Sequence, residues 1–249
     1  MLGLTVGALI VFFLTTGLTI AGVGAAFSII PFLYWLGIPL KEVMATALLL
    51  NSISMSFASI TFIRKKLVAF EIAVPVMVVA SIFSPLGAYS TRFVSKDFLL
   101  WSFSTFLVFA ASMMLFFKSR KKEGHRSSGQ GLFIGCIVGA VAGYLGGLLG
   151  VGGGNFIVPA LIWVGYDPRI AAATSCFIVI FSSLAGFFGH AALGNVNLPL
   201  LTSAASASIA GGLLGAWLLS FKLKGSQVKW VIGIVLYLIA AKMIWGLVS

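Results

Sequence analysis

Charged residues are scarce in this chain, and acidic residues are the scarcest among them. Only 8% of the 249 residues are charged, with 16 Lys and Arg against 5 Asp and Glu, whereas 60% are hydrophobic. A soluble domain of ordinary composition has about a quarter of its residues charged, because water must wet its surface. The chain is therefore predicted to be an integral membrane protein that has the lipid bilayer as a partner.

Histidine and cysteine are equally rare, with two of each. Cys136 and Cys176 lie within apolar runs, and neither has a second Cys or His at metal-ligand spacing. Two histidines and five acids do not supply a Ser-His-carboxylate set, a metal cluster or paired catalytic carboxylates. The sequence predicts no enzyme activity, no bound metal and no cofactor.

The net charge of +11 raises the question of nucleic-acid binding. The Lys and Arg residues occur in short runs between apolar stretches, where membrane proteins have their orientation signals. A basic stripe for phosphate contacts would need a soluble face. Nucleic acid is therefore not an expected partner.

Long apolar segments fill the chain in two sets. The first set is 3–21, 27–38, 43–63, 67–91 and 97–117, and the second is 131–149, 155–166, 169–192, 196–221 and 228–248. A helix needs about 20 residues to cross the hydrocarbon core. Segments 27–38 and 155–166 are shorter, and each follows a glycine cluster, so each is either a re-entrant half-helix or a short span.

The two sets are related by a shift of 128 positions without gaps. The shift aligns Gly22-Val23-Gly24 with Gly150-Val151-Gly152 and Pro31 with Pro159; it also aligns Trp35 with Trp163, Gly37 with Gly165, and Ala45-Thr46 with Ala173-Thr174. We therefore predict an internal duplication. Its parts are a first membrane repeat (1–117), a basic linker (118–129) and a second membrane repeat (130–249).

The distribution of Lys and Arg predicts the orientation of the repeats. With an odd number of crossings per repeat, one side collects most of the positive charge, including Arg64, Lys65, Lys66 and the linker, whereas the other keeps Lys41, Arg92, Lys96 and Lys242. The positive-inside rule then places the linker in the cytoplasm and both termini outside. Odd repeats are inverted relative to each other, a common transporter plan with the substrate site at the repeat interface.

The glycine clusters are the first candidates for a binding site. A glycine loop that leads into a helix start exposes unpaired N–H groups, and the helix dipole adds to their attraction for an anion. Helix packing is the alternative, and it suits Gly139, Gly143 and Gly147 better than three consecutive glycines. The candidate residues are Gly22, Gly24, Gly150, Gly152, Gly153, Gly154 and Asn155.

Polar residues early in the third segment of each repeat are the second candidates. Thr46 and Thr174 are equivalent under the shift, and Asn51 and Ser175 lie near them. Their hydroxyl and amide groups could bind an anion, or the hydroxyls could bond the carbonyl four residues back. Asp167, which precedes a proline, is predicted to cap a helix.

The positions of the few ionisable residues argue against a cation-binding site. The acids lie near segment ends or in the basic linker, and His190 lies near the end of a span, where we expect an interfacial residue. Backbone donors without a buried carboxylate favour a small anion over a cation or a neutral solute. An anion channel and a non-transporting scaffold subunit are the alternatives to a transporter, and a homodimer is compatible with either.

The second-half motif is specific enough to suggest a family. Residues 146–161, Gly-Gly-Leu-Leu-Gly-Val-Gly-Gly-Gly-Asn-Phe-Ile-Val-Pro-Ala-Leu, followed by Ala-Ala-Ala-Thr-Ser at 171–175, resemble the TauE/SafE family of sulfite exporters. The resemblance implies a secondary transporter for sulfite, an organosulfonate or a related sulfur anion in a prokaryotic inner membrane. The first half has Ala25, Ala26 and Phe27 where the second has Gly153, Gly154 and Asn155, so the second-half loop is the stronger candidate.

Overall fold

The computed structural model describes residues 12–16, 26–116, 128–194, 198–221 and 225–248, and every regular element within these ranges is helical. Residues 12–16 form a short helical stretch. The longer helices are α1 (Ala26–Trp35), α2 (Leu40–Arg64), α3 (Phe70–Ser90), α4 (Lys96–Phe116), α5 (Ser128–Leu149), α6 (Gly154–Val164), α7 (Pro168–Ala191), α8 (Leu198–Phe221) and α9 (Gly225–Val248). The predicted all-α fold class is confirmed.

Three of these helices are long and apolar enough to cross a membrane, namely Leu40–Arg64, Phe70–Ser90 and Arg169–Ala191. The exposed side chains of α3 show whether this helix faces water or lipid. Its exposed large side chains recur every fourth residue, at Phe70, Val74, Val78, Ile82 and Leu86. A helix brings residues at this spacing onto one face, and an exposed face this apolar belongs in lipid. The molecule is an all-helical integral membrane protein.

Two helices, taken over their described residues, are too short to span the bilayer. Helix α1 has 10 residues and α6 has 11. At the rise of an α-helix they measure about 15 and 16 Å, half of the roughly 30 Å hydrocarbon core. They correspond to the short segments 27–38 and 155–166 of the sequence. Helix α6 begins directly after the second glycine cluster, whose residues 150–155 are buried within the protein.

Glycines of α5 bring this helix into backbone contact with α3. A Cβ atom added to Gly139 would lie 3.0 Å from the carbonyl oxygen of Val76, and one added to Gly143 or Gly147 would overlap the backbone of Ala80 or Ser84. Small residues at such spacing allow membrane helices to approach closely. The packing interpretation of these three glycines is confirmed.

Helices α2 and α7 pack against each other, and polar side chains meet at this α2–α7 crossing. The hydroxyl of Ser52 donates to the carbonyl oxygen of Ile180 at 2.9 Å, and the Asn51 amide donates to the Ser183 hydroxyl at 3.0 Å. Helix α3 packs against α5 and α7 on one side of this crossing, while α8 packs against α2 and α9 packs against α4. The crossing therefore joins the two halves of the chain.

Unusual backbone angles recur at positions 128 apart. Gly37 and Gly165 have φ of +85° and +119°, and Lys66 and Gly194 have φ of +55° and +78°. Within each pair, both residues lie within three residues of the end of a helix in the corresponding position of the two halves. These pairs support the internal duplication, whose inverted arrangement and domain boundaries remain predictions. Most of the basic linker and the first glycine cluster, including Gly22 and Gly24, lie outside the described residues.

The carboxylates of the described residues lie at helix ends. Glu42, Glu71 and Asp97 are in the first turns of α2, α3 and α4. The Asp167 carboxylate accepts a hydrogen bond of 2.9 Å from the Arg169 N–H and so caps α7, which confirms the predicted cap. Acids at helix starts interact favourably with the helix dipole.

Candidate functional site

The second glycine cluster forms a tight loop between α5 and α6. Gly150, Gly152 and Gly153 have φ of +74°, +76° and +80°, a left-handed conformation that residues with a Cβ atom adopt only with strain. A Cβ atom on Gly150 would lie 2.7 Å from that of Met44, and one on Gly153 would lie 2.5 Å from the Ala142 carbonyl oxygen. Both the conformation and the space at these positions require glycine.

The hydrogen bonds of this loop leave three N–H groups free. Val151 and Gly152 donate to the Gly146 carbonyl oxygen at 2.8 and 3.3 Å. Phe156 and Ile157 donate to the Gly153 carbonyl oxygen at 3.1 and 3.4 Å. Among the described residues no partner is found for the N–H groups of Gly153, Gly154 and Asn155, which begin α6.

These N–H groups are buried at the positive end of a helix. Gly153, Gly154 and Asn155 are all buried. The first N–H groups of a helix need a partner from outside the helix, and a buried helix start without one is unusual. An anion is well suited to this position because its charge and its oxygen acceptors match the helix dipole and the free donors.

A polar cluster from the α2–α7 crossing lies against the same loop. A Cβ atom on Gly152 would meet the Asn51 amide nitrogen at 2.8 Å and would overlap the Ser183 hydroxyl. Ser182 donates to the Gly152 carbonyl oxygen at 3.1 Å and so fixes the loop to α7. Ser183 accepts a bond from Asn51, which leaves its own O–H hydrogen available to a ligand.

Asn51 is almost completely buried, with 1% of its surface exposed. Its amide nitrogen is bonded to Ser183, whereas its side-chain oxygen has no partner in the described part of the chain. A buried polar atom without a partner costs about 1–3 kcal/mol, so such atoms are rare away from functional sites. The structure therefore brings two predicted residues that are distant in the chain, Asn51 and Gly152, into contact.

The remaining predicted residues have different surroundings. Ser175 is buried and donates to the Gly154 carbonyl oxygen at 3.5 Å, so it lies beside α6. Thr174 accepts a bond of 3.0 Å from the Ala69 N–H and thereby holds the start of α3, a role that the sequence did not indicate. Thr46 is buried, and its hydroxyl has no partner among the residues described. A ligand role for the two threonines remains a prediction.

Sequence reasoning missed Ser182 and Ser183 as parts of this cluster. The signal available was a pair of adjacent hydroxyls in the middle of an apolar run, at 176–188. A serine in a membrane helix usually bonds its own backbone, so the residue type alone did not single them out. Their position opposite a glycine loop is a tertiary relationship.

The expectation that His190 is interfacial is wrong, because none of its surface is exposed. Its Nε2 atom lies 3.0 Å from the Gly147 carbonyl oxygen, near the end of α5. A carbonyl only accepts, so Nε2 is the protonated nitrogen of this contact. Val151 donates to Gly146 rather than to Gly147, and His190 therefore supplies a donor to a carbonyl at the helix end.

Comparison with known proteins identifies the family. A family model described as "Sulfite exporter TauE/SafE" matches residues 6–243, nearly the whole chain. The chain belongs to the TauE/SafE family. It is therefore a multi-pass membrane protein of a transporter family.

Individual relatives agree with this assignment. "Probable membrane transporter protein YunE" of Bacillus subtilis is 27% identical over 91% of this chain and 92% of its own length. "Probable membrane transporter protein MJ0441" of Methanocaldococcus jannaschii is 25% identical over 72% of both chains. "Sulfite exporter TauE/SafE family protein 1" of Arabidopsis thaliana is 43% identical over 23% of this chain and 13% of its own. No solved structure matches the TauE/SafE chain described here.

Proposed function

We propose that the protein is a secondary transporter that moves a small sulfur-containing anion, sulfite or an organosulfonate, across the inner membrane by alternating access. Membership of the TauE/SafE family supports transport, and the name of the family model includes sulfite export. The chain acts as a carrier and not as an enzyme in this proposal.

The observation that carries the proposal is the start of α6. Three buried N–H groups, those of Gly153, Gly154 and Asn155, have no partner in the described residues, and the Ser183 hydroxyl lies beside Gly152 in the same loop. A sulfonate or sulfite group presents three oxygens, each of which accepts hydrogen bonds. The donors of the loop match that group, and the described carboxylates, which would repel it, lie at helix ends.

The crossing of α2 and α7 suggests how access alternates. Asn51 on α2 and Ser183 on α7 meet beside Gly152, so the site lies where the two proposed repeats meet. Transporters built from inverted repeats move one repeat against the other around a fixed central site. In this proposal the linker is cytoplasmic, both termini are outside, and a small rotation at the crossing opens the site to either face.

Counter-flow in proteoliposomes tests the function. Vesicles loaded with unlabelled sulfite, sulfoacetate, taurine, sulfate or chloride are diluted into the labelled anion, and uptake is followed against time. The proposal predicts transient, saturable accumulation driven by sulfite or a sulfonate and not by chloride. Flux that rises linearly with concentration and shows no counter-flow indicates a channel, and the absence of flux with every anion contradicts transport of this class.

A further inference from the structure

A cavity of about 610 Å³ lies at the face of the molecule that carries the start of α2, away from the glycine loop. The ends of three helices enclose it, and the lining residues used below are Tyr34, Leu40, Lys41, Glu42, Lys96 and Leu99. Small-molecule sites have volumes of roughly 300–1,000 Å³, so a small anion with its hydration shell fits in this space.

The chemistry of the cavity wall favours an anion. Of the lining residues, Lys41 and Lys96 contribute two ammonium groups and Glu42 one carboxylate, whereas Asp97, which follows Lys96, does not line the cavity. The Lys96 Nζ lies 5.2 Å from the Tyr34 ring centre. Pro39 precedes α2 without a side-chain cap, and the N–H groups of Leu40 and Lys41 have no backbone partner among the described residues. Ammonium groups and free helix N–H groups both attract an oxyanion.

Helix α2 connects this cavity to the glycine loop. Met44, one turn beyond Leu40, contacts Gly150, and Asn51 contacts Gly152. At 1.5 Å per residue, Met44 lies about 6 Å and Asn51 about 16 Å along the helix from the cavity floor. The cavity and the glycine loop therefore lie one after the other along α2.

An apolar layer separates the cavity from the glycine loop. Leu40, Met44 and Leu99 are buried in one hydrophobic cluster, which also contains Leu149 and Val151 on either side of Gly150. Such a layer excludes a charged solute because burying an unpaired charge is costly. In this conformation the cavity is open at the surface and closed towards the glycine loop.

We propose that the cavity is an anion-binding vestibule, in which Lys41 and Lys96 hold a sulfur oxyanion or a sulfonate before it passes Met44 to the glycine loop. The proposal rests on the proposed function for the direction of travel, but the binding step stands on the cavity itself. In the predicted orientation this is the outer face, so the vestibule faces the cell exterior.

Protection of a cysteine in the cavity wall tests the proposal. Ile38, a half-buried lining residue, is replaced by Cys in a chain in which Cys136 is replaced by Ala, since Cys176 is fully buried. The detergent-purified protein reacts with neutral N-ethylmaleimide in sulfate or sulfoacetate, at an ionic strength held constant with gluconate. Both probes should slow the reaction in a saturable way.

The lysine variants assign that protection to the vestibule. The double variant Lys41→Gln, Lys96→Gln should raise the anion concentration that gives half-maximal protection about tenfold. This change is equivalent to a loss of roughly 1.4 kcal/mol of binding free energy. Lys41→Arg with Lys96→Arg should keep the protection, because the charge remains. Arg92→Gln is the matched control, since Arg92 is exposed over the Tyr89 ring and does not line the cavity.

Equal protection in the glutamine variant, or no protection in the parent, overturns the vestibule. The labelling requires no turnover. A parent protein that is protected but gives no counter-flow therefore contradicts the proposed function and supports the vestibule. Counter-flow without protection supports the proposed function and contradicts the vestibule.

Discussion

Ser52 donates a hydrogen bond of 2.9 Å to the carbonyl oxygen of Ile180, which is the residue equivalent to Ser52 in the second half of the chain, 128 positions later. A residue that contacts its own equivalent lies next to the axis that relates the two halves. The glycine-loop contacts of Asn51 lie one residue away from this point. The candidate site is therefore close to the proposed pseudo-two-fold axis, where inverted-repeat transporters bind their substrates.

Inversion of the repeats predicts opposite exposure of two equivalent loops. Lys66 and Gly194 are equivalent, and each follows a long helix with positive φ. In intact cells a membrane-impermeant maleimide should label Gly194→Cys, whereas Lys66→Cys should react only after the membrane is opened, both in a Cys136→Ala chain. Nothing lies within 4 Å of a Cβ at Gly194, so the new side chain is accommodated. Labelling of both positions from the same side would show that the repeats are not inverted.

Gly143→Val should separate α5 from α3. A Cβ atom at this position overlaps the Ala80 backbone, which cannot move aside as a flexible side chain does. Overpacking of this kind lowers the free energy of unfolding by about 1–3 kcal/mol, measured by thermal unfolding in detergent. Gly246→Val in α9 is the control, because no atom lies within 4 Å of its Cβ. Equal melting temperatures for the two variants would contradict the tight α3–α5 contact.

His190→Ala should destabilise the fold by removing the donor to the Gly147 carbonyl oxygen, 3.0 Å from Nε2. An unsatisfied buried carbonyl costs about 1–3 kcal/mol. His190→Gln places an amide N–H in the same region and should recover most of the melting temperature. If His190→Ala has the same melting temperature as the parent protein, the contact between His190 and Gly147 does not stabilise the fold.

Asn51→Asp should weaken sulfoacetate binding, because it places a carboxyl group of the same shape beside Gly152. The protonated carboxyl resembles the amide in charge, and the ionised form repels the anion. Binding should therefore fall as the pH rises and the carboxyl ionises, while the sulfonate remains ionised throughout. Isothermal titration at several pH values measures this in chains that also carry Lys41→Gln and Lys96→Gln, so that binding in the vestibule does not contribute. Asn51→Leu is the control, and its binding should not depend on pH in this way. A flat pH profile for Asn51→Asp would place the ligand elsewhere.

The sequence predicted the fold well where one physical rule dominated. Apolar length located α2, α3 and α7, and the Asp-Pro pair located the start of α7. Glycine spacing indicated that α5 packs closely against another helix, and the structure identifies that helix as α3. The glycine loop was predicted as an interruption because consecutive glycines weaken a helix by about 1 kcal/mol each. These signals are local in the chain.

The parts of the site that the sequence did not predict depend on contacts between distant residues. The bond of Thr174 to the Ala69 N–H, the burial of His190 and the position of Ser183 against Gly152 join residues far apart in the chain. The cavity that contains Lys41 and Lys96 is likewise formed by helix ends from different segments. The periodicity of a single sequence does not predict contacts between residues that are far apart in the chain.

Ligand-dependent thermal stabilisation of Gly152→Ala tests the central claim, that the loop from Gly150 to Asn155 binds the anion. A methyl group on Gly152 overlaps the Ser183 hydroxyl, whereas Gly194→Ala adds the same methyl at positive φ into open space and so controls for backbone strain. All proteins in this test carry Lys41→Gln and Lys96→Gln, so that binding in the vestibule does not contribute. With sulfite, sulfoacetate, taurine, sulfate and chloride at matched ionic strength, this parent and its Gly194→Ala derivative should be stabilised by sulfite or a sulfonate, and folded Gly152→Ala should not. Stabilisation of Gly152→Ala equal to that of the parent would contradict the assignment of the site.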